Sequence, residues 1–132
     1  MAEFALITPL FIVMLFMAIT FGVIGQAALA VGQLAYSGAR YAAVNPTLTS
    51  DQVAGYIRGG KLGSPTITSG GGAHLSVTVV QASGFGQPVQ VTISYDLSSN
   101  PLVSSMSTMF AAFGLSQTLP TTLTASEIAM SE

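Results

Sequence analysis

Side-chain chemistry has little to work with in this chain. Its 132 residues carry three basic groups (Arg40, Arg58, Lys61), five acidic groups (Glu3, Asp51, Asp96, Glu127, Glu132), one histidine and no cysteine. Without cysteine there is no disulfide frame, no thiolate metal site and no thiol nucleophile. A single histidine, His74, gives neither a metal cluster nor a catalytic triad, and its place after Gly70-Gly71-Gly72 and before a β-branched run reads as a solvent-facing loop position. No Gly-x-Ser-x-Gly elbow, Ser-x-x-Lys motif or Asp-x-Asp calcium loop occurs, and the glycine run lacks the Lys-Ser/Thr of a phosphate loop. Asp51 and Asp96 are far apart in sequence and read as a first-turn helix residue and a strand-end turn residue. The expectation is therefore a non-enzyme with no catalytic residues, no metal and no cofactor. A net charge of −2 and a pI near 5.1 exclude electrostatic binding of nucleic acid.

Glu3 is the acid in an unusual setting. Phe4 to Ile24 follows it with no charge, interrupted by little more than Thr8, Pro9, Thr20 and Gly22. About 20 helical residues cross a bilayer core. A carboxylate carried deep into lipid costs ~2.5–3.5 kcal/mol and calls for a partner. The nearby cation is an N-terminal amine, poorly placed on the same chain but within reach from a neighbouring helix displaced by one axial step. That pairing, through Glu3 and Met1, would favour the ionised acid and fix the axial register of a helix bundle. The alternative is a solvated carboxylate at headgroup level, stabilised by the positive end of its own helix. No Lys or Arg precedes Arg40, so the basic start of a signal peptide is missing, and Met1 reads as lying close to a processed N-terminus.

One long helix must hold these residues. The apolar span continues without a break into an Ala-rich stretch that ends at Asn45-Pro46, where the residue before proline leaves the α region. A helix over about 3–44 would be ~60 Å long, twice a bilayer core. Phe4, Phe11, Phe16 and Phe21 recur along the first half at roughly helical intervals and read as packing between helices. In the second half Leu29, Gln33, Tyr36 and Arg40 share one side, while Ala28, Gly32, Ala35, Ala39 and Ala42 form a side of small residues suited to close packing. Pro9 should bend the rod. Gly22 and Gly25 each cost ~1 kcal/mol relative to Ala. They mark either a place where the helix stretches or melts, or one where backbones approach closely.

The remainder is small, polar and glycine-rich. Thr49 and Gln52 stand at capping-box spacing before a helix with Val53, Tyr56 and Ile57 on its apolar face and Gly59-Gly60 at its end. Residues 69–72 read as a flexible turn. Leu75–Val80 and Val89–Tyr95 alternate with period two and predict an antiparallel hairpin across the loop 83–88. Asn100-Pro101 opens a short helix with Leu102, Met106, Met109, Phe110 and Phe113, which Gly114 ends. Thr118–Met130 predicts a final strand. The fold class is α+β: a long N-terminal hydrophobic helix whose C-terminal half packs on a small antiparallel sheet, with short helices on one face. Three stretches are expected: 1–25, a transmembrane or filament-core segment; 26–45, the continuation that packs on the head; 46–132, the globular head. At half hydrophobic residues and 6 % charged, with mean hydropathy +0.66, the chain is neither disordered nor suited to life as a free soluble monomer.

The residues also carry a family resemblance. Glu3-Phe4-Ala5-Leu6-Ile7-Thr8-Pro9-Leu10-Phe11 resembles the opening of TadE-like pilins, and Gly38-Ala39-Arg40-Tyr41-Ala42-Ala43 resembles the end of their helix. Val91–Tyr95, Asn100-Pro101-Leu102 and Leu123–Ser126 resemble their distal strand, loop and closing strand, so the matches run in family order along nearly the whole chain. Glu3 departs from the pattern in standing two residues nearer the start than the acid of most type IV pilins.

The resemblance implies a type IV pilin-like subunit. Such subunits are made with a short basic leader, cut by a prepilin peptidase, held in the inner membrane by the helix, and extruded into a filament by an assembly ATPase and a platform protein. The expected function is a structural pilin whose N-terminal helix packs against copies of itself in an extracellular Tad-like pilus for surface adhesion. The alternative is a minor pseudopilin or single-pass membrane assembly factor that primes or caps a pilus or secretion pseudopilus.

Overall fold

The computed structural model describes residues 2–62, 74–81, 84, 86–112, 114 and 119–131. Its elements in chain order are α1 (Ala2–Val44), α2 (Ser50–Arg58), β1 (Leu75–Val80), β2 (Pro88–Asp96), α3 (Pro101–Ala112) and β3 (Thr122–Met130). The class is α+β, with one long apolar helix and one small antiparallel sheet.

The long helix runs unbroken for 43 residues, about 65 Å at 1.5 Å per residue. It continues through Pro9, and Gly22 and Gly25 are helical. Two threonines within it turn their hydroxyls back onto the rod: Thr8 donates to the Phe4 carbonyl at 2.7 Å and Thr20 to the Phe16 carbonyl at 2.9 Å. Asn45 stops the helix as its sequence predicts, with both its backbone N–H and its side-chain amide donating to the Tyr41 carbonyl.

The strands form one sheet in the order β1-β2-β3, both pairs antiparallel. In the hairpin Val77 lies opposite Ile93, and in the second pair Ile93 lies opposite Ala125. Period-two alternation sends Leu75, Val77, Val89, Val91 and Ile93 to the inner face, where all are buried. The second half of α1 covers that face with Val31, Leu34, Ala35, Ala39 and Ala42, and α2 adds Val53, Ala54 and Ile57. Leu34, Ala35, Ala42, Val53, Ile57, Val91 and Ile93 have no measurable exposure, so the helix is a wall of the head's core.

The outer face of the sheet carries hydroxyls. Gln90 donates to Ser126 at 3.0 Å, Thr92 and Ser126 lie 3.1 Å apart, and Ser94 and Thr124 lie 3.2 Å apart. These cross-strand pairs register the ladder on the side that meets water.

The capping box of α2 forms as its spacing predicts. The Gln52 N–H donates to Thr49 Oγ1 at 3.4 Å and the Thr49 N–H donates to Gln52 Oε1 at 2.9 Å. Tyr56 is only half-buried, because its ring stacks on Tyr41 with centroids 4.3 Å apart, and Ala54 takes the third buried place on that helix. The final strand starts at Thr122, with Leu119–Thr121 outside it. The predicted turn at 69–72, Phe113 and Thr118 lie outside the described residues.

One expectation needs correction. The two short helices do not share a face of the sheet. α2 packs on β1 and α1, whereas α3 leaves the sheet at Leu97 and lies along α1. A second, smaller core marks the junction: Ile24, Ala27, Leu97 and Val103, flanked by Tyr95, Leu119 and Leu123. The cause is chain direction. β2 ends at the level of Ile24, and the Asn100-Pro101 cap then starts a helix pointing away from the sheet, toward the N-terminal end of the rod.

Candidate functional site

The surface with functional weight is the first half of α1. Phe4 is 80 % exposed and Phe11 65 %, with Phe16 and Phe21 about half exposed. Ile7, Leu10, Met14, Leu15 and Ile19 add to the same uncovered apolar surface. In water this much uncovered apolar side chain carries a large free-energy cost, on the order of 25 cal/mol per Å². By length and composition Ile7–Val44 is able to cross a membrane. Glu3 lies in the first turn of this helix. Its side chain and Met1 lie outside the described residues, so the register pairing assigned to them rests on sequence.

The remaining site residues divide between the two halves of the rod. Pro9 sits on the exposed side and lines a groove with Leu10 and Val13. A Cβ built on Gly22, Gly25 or Gly32 meets nothing within 4 Å, so within one copy none of these glycines is required by close packing. Gly38 differs: a Cβ there would lie 2.7 Å from Ile57 Cδ1 and 3.3 Å from Ile57 Cγ1. It is the small residue that lets α2 close onto the rod, and the sequence pattern did not single it out for this.

The predicted small-residue side is used unequally. Ala35 and Ala39 are buried under the chain's own sheet, Gly32 is half-buried, and Ala28 is exposed. A contact between copies through Ala35 or Ala39 would have to displace the head. The face left open on the second half of α1 is that of Leu29, 71 % exposed, with Gln33, Tyr36 and Arg40. A groove of about 390 Å³ runs beside it, lined by Tyr36, Arg40, Tyr41 and Val44 among others.

The few titratable groups are scattered. His74 is exposed, and its carbonyl accepts the Asp96 N–H at 2.9 Å. Asp96 Oδ1 accepts the Ser98 N–H at 2.8 Å. That hydrogen bond, then the Ser98 side chain, holds the Asp96 carboxyl below its ordinary value, with His74 adding a smaller pull in the same direction. Asp96 thus serves the turn that launches α3, the strand-end role its position predicts. Among the described residues no three of His, Cys, Asp or Glu gather to hold a metal ion.

The family model described as TadE-like protein matches residues 1–40. The match takes in the Glu3–Phe11 segment and ends within the Gly38–Ala43 segment, and it stops where α1 enters its last turn. The N-terminal 40 residues, under a third of the chain, are similar to TadE-like proteins. No curated protein and no solved structure matches the chain.

Proposed function

We propose that this chain is a structural subunit that polymerises through the first half of α1 into an extracellular Tad-type pilus serving surface adhesion. The observation that carries this reading is the pairing of a TadE-like segment with its uncovered surface. The segment matched by the family is the one whose phenylalanines stand in the open, while its other end is locked into a folded head. Such a rod has two apolar destinations, lipid and copies of itself. Moving from the inner membrane into a filament exchanges one for the other without exposing the rod to water. Head-to-tail contacts that do not close into a ring build the filament.

In this reading Glu3 meets the N-terminal amine of a neighbouring copy and sets the axial stagger. Pro9, Gly22 and Gly25 are the points at which the rod bends or loosens as copies pack. Phe4, Phe11, Phe16, Phe21 and Ala28 supply contacts between copies, with Gly32 at their margin. Ala35 and Ala39 support the head. Processing by a prepilin peptidase and extrusion by an assembly ATPase and platform protein follow from the same family reading.

Glu3→Ala is the direct test. The variant is expected to accumulate in the membrane with filament yield cut at least severalfold, because unpaired rods lose their register; normal filaments would sink the pairing. Abundance separates the two roles open to such a chain. A filament subunit dominates sheared surface material, whereas a priming or capping factor stays scarce there and remains with the membrane.

A further inference from the structure

Helix α3 runs down the rod rather than over the head. Its first turn places Val103 in the cluster with Ile24 and Ala27. One groove between the two helices is lined by Phe16, Thr20, Leu102 and Met106 among others. Further toward the N-terminus, a groove of about 400 Å³ lies between Pro9, Leu10 and Val13 on α1 and Met106, Met109 and Phe110 on α3. The two helices are therefore antiparallel neighbours, and α3 reaches about 18 Å below the head at 1.5 Å per residue. That is roughly the depth of one leaflet of a ~30 Å hydrocarbon core.

We propose that α3 is a second membrane-contacting element: in the membrane-held state it sits beside α1 within the head-side leaflet, with acyl chains filling the groove between them. The proposal rests on the reading of α1 as a membrane span.

Three independent observations support lipid as the occupant. First, the sequence has no Asp, Glu, Lys or Arg between Asp96 and Glu127, so the whole excursion that contains α3 is uncharged. Second, three of the four serine and threonine hydroxyls of α3 turn back onto its own backbone, Ser105 at the groove being the exception. Ser104 donates to the Pro101 carbonyl at 3.1 Å, and Ser107 and Thr108 donate to the Ser104 carbonyl at 2.8 and 3.0 Å. Polar groups in hydrocarbon must be satisfied within the protein, and these are, in the same manner as Thr8 and Thr20 on the rod. Third, the levels agree. The apolar span read from sequence ends at Ile24, which is the level of Leu97, and the nearest charge, Asp96, stands immediately on the head side of it. The groove-facing side of α3, with Leu102, Met106, Met109 and Phe110, is thus continuous with the apolar surface of α1 and ends where charge begins.

Because the chain lacks cysteine, single-cysteine variants report without background. Nitroxides are placed at Ser107 on the exposed side of α3, at Phe16 on α1 as the lipid reference, and at Thr78 on the outer sheet face as the water reference. The full chain is reconstituted in phosphatidylcholine–phosphatidylglycerol vesicles, and collision with oxygen is compared with collision with a water-soluble nickel chelate. The expected result is an oxygen-to-nickel accessibility ratio at position 107 about tenfold above that at 78 and close to that at 16, because hydrocarbon excludes the chelate. Adding Met109→Lys should lower the ratio at 107.

A water-like signal at 107 with a lipid-like signal at 16 would overturn the proposal and leave the α1 span standing. A label at 107 shielded from both reagents would overturn it in favour of a second copy covering α3. A water-like signal at 16 would overturn the membrane reading of α1 and this proposal with it.

Discussion

Gly38 is where one hydrogen in place of a methyl group sets how close two helices come. Replacing Gly by Ala inside a helix normally gains ~1 kcal/mol. Here the new Cβ would press on Ile57, which has no exposure and is backed by Val91. Overpacking of that kind costs about 1–3 kcal/mol. The clash is chiefly with Cδ1, the atom that Ile57→Val removes. Gly38→Ala should therefore destabilise the native chain but become neutral or stabilising in an Ile57→Val background. A denaturation double-mutant cycle should give a coupling of about 1 kcal/mol or more, and simple additivity would show that the helices are not held at this distance. Asp96 gives a prediction in pH. Its folded-state carboxyl titrates below its ordinary value near 3.9 because the Ser98 N–H donates to the charged form. The stability it lends is present above that ordinary value and is lost as pH falls through the depressed one. Asp96→Asn keeps an acceptor and removes the charge. Its stability deficit should be present at neutral pH and close below about pH 4, as read by thermal unfolding of both forms across pH.

The division of α1 into an open half and a covered half governs the elements. Val31, Leu34, Ala35, Ala39 and Ala42 are as much a part of the head's core as the strands they face. A head of about 85 residues without them has too little apolar interior to hold a fold, since small domains bury only ~60 % of their unfolded surface. A fragment beginning at residue 24 keeps this wall and the Ile24–Ala27 junction. In mild detergent it should show a cooperative thermal transition by circular dichroism. A fragment beginning at residue 46 should show none; a cooperative transition there would mean the sheet and α2 are self-sufficient. The long helix, the capped α2, the hairpin and the closing strand were all legible in sequence, because each rests on local signals: an alanine-rich run ended by Asn-Pro, a capping box, and period-two alternation. The direction of α3 was not. Its apolar residues announce a helix with a partner, but a short Met- and Phe-bearing face does not say whether that partner is a sheet or another helix.

At the scale of the whole molecule, basic charge and apolar surface are sorted along the rod. Arg40, Arg58 and Lys61 all belong to the far end, on α1's last turns or on and just after α2, while the open apolar surface occupies the near end. This polarity could be read from the sequence, because the helix is a ruler and the basic charges fall beyond a countable distance along it. The use of the small-residue side could not. Ala28, Gly32, Ala35 and Ala39 look alike in sequence, and only the tertiary fold shows which of them the head has claimed. The outer sheet face has its own consequence. Its β2 and β3 hydroxyls are paired with one another and it presents few ions, so ionic screening has little there to weaken. Whatever meets that face should grip it as firmly in brine as in rainwater.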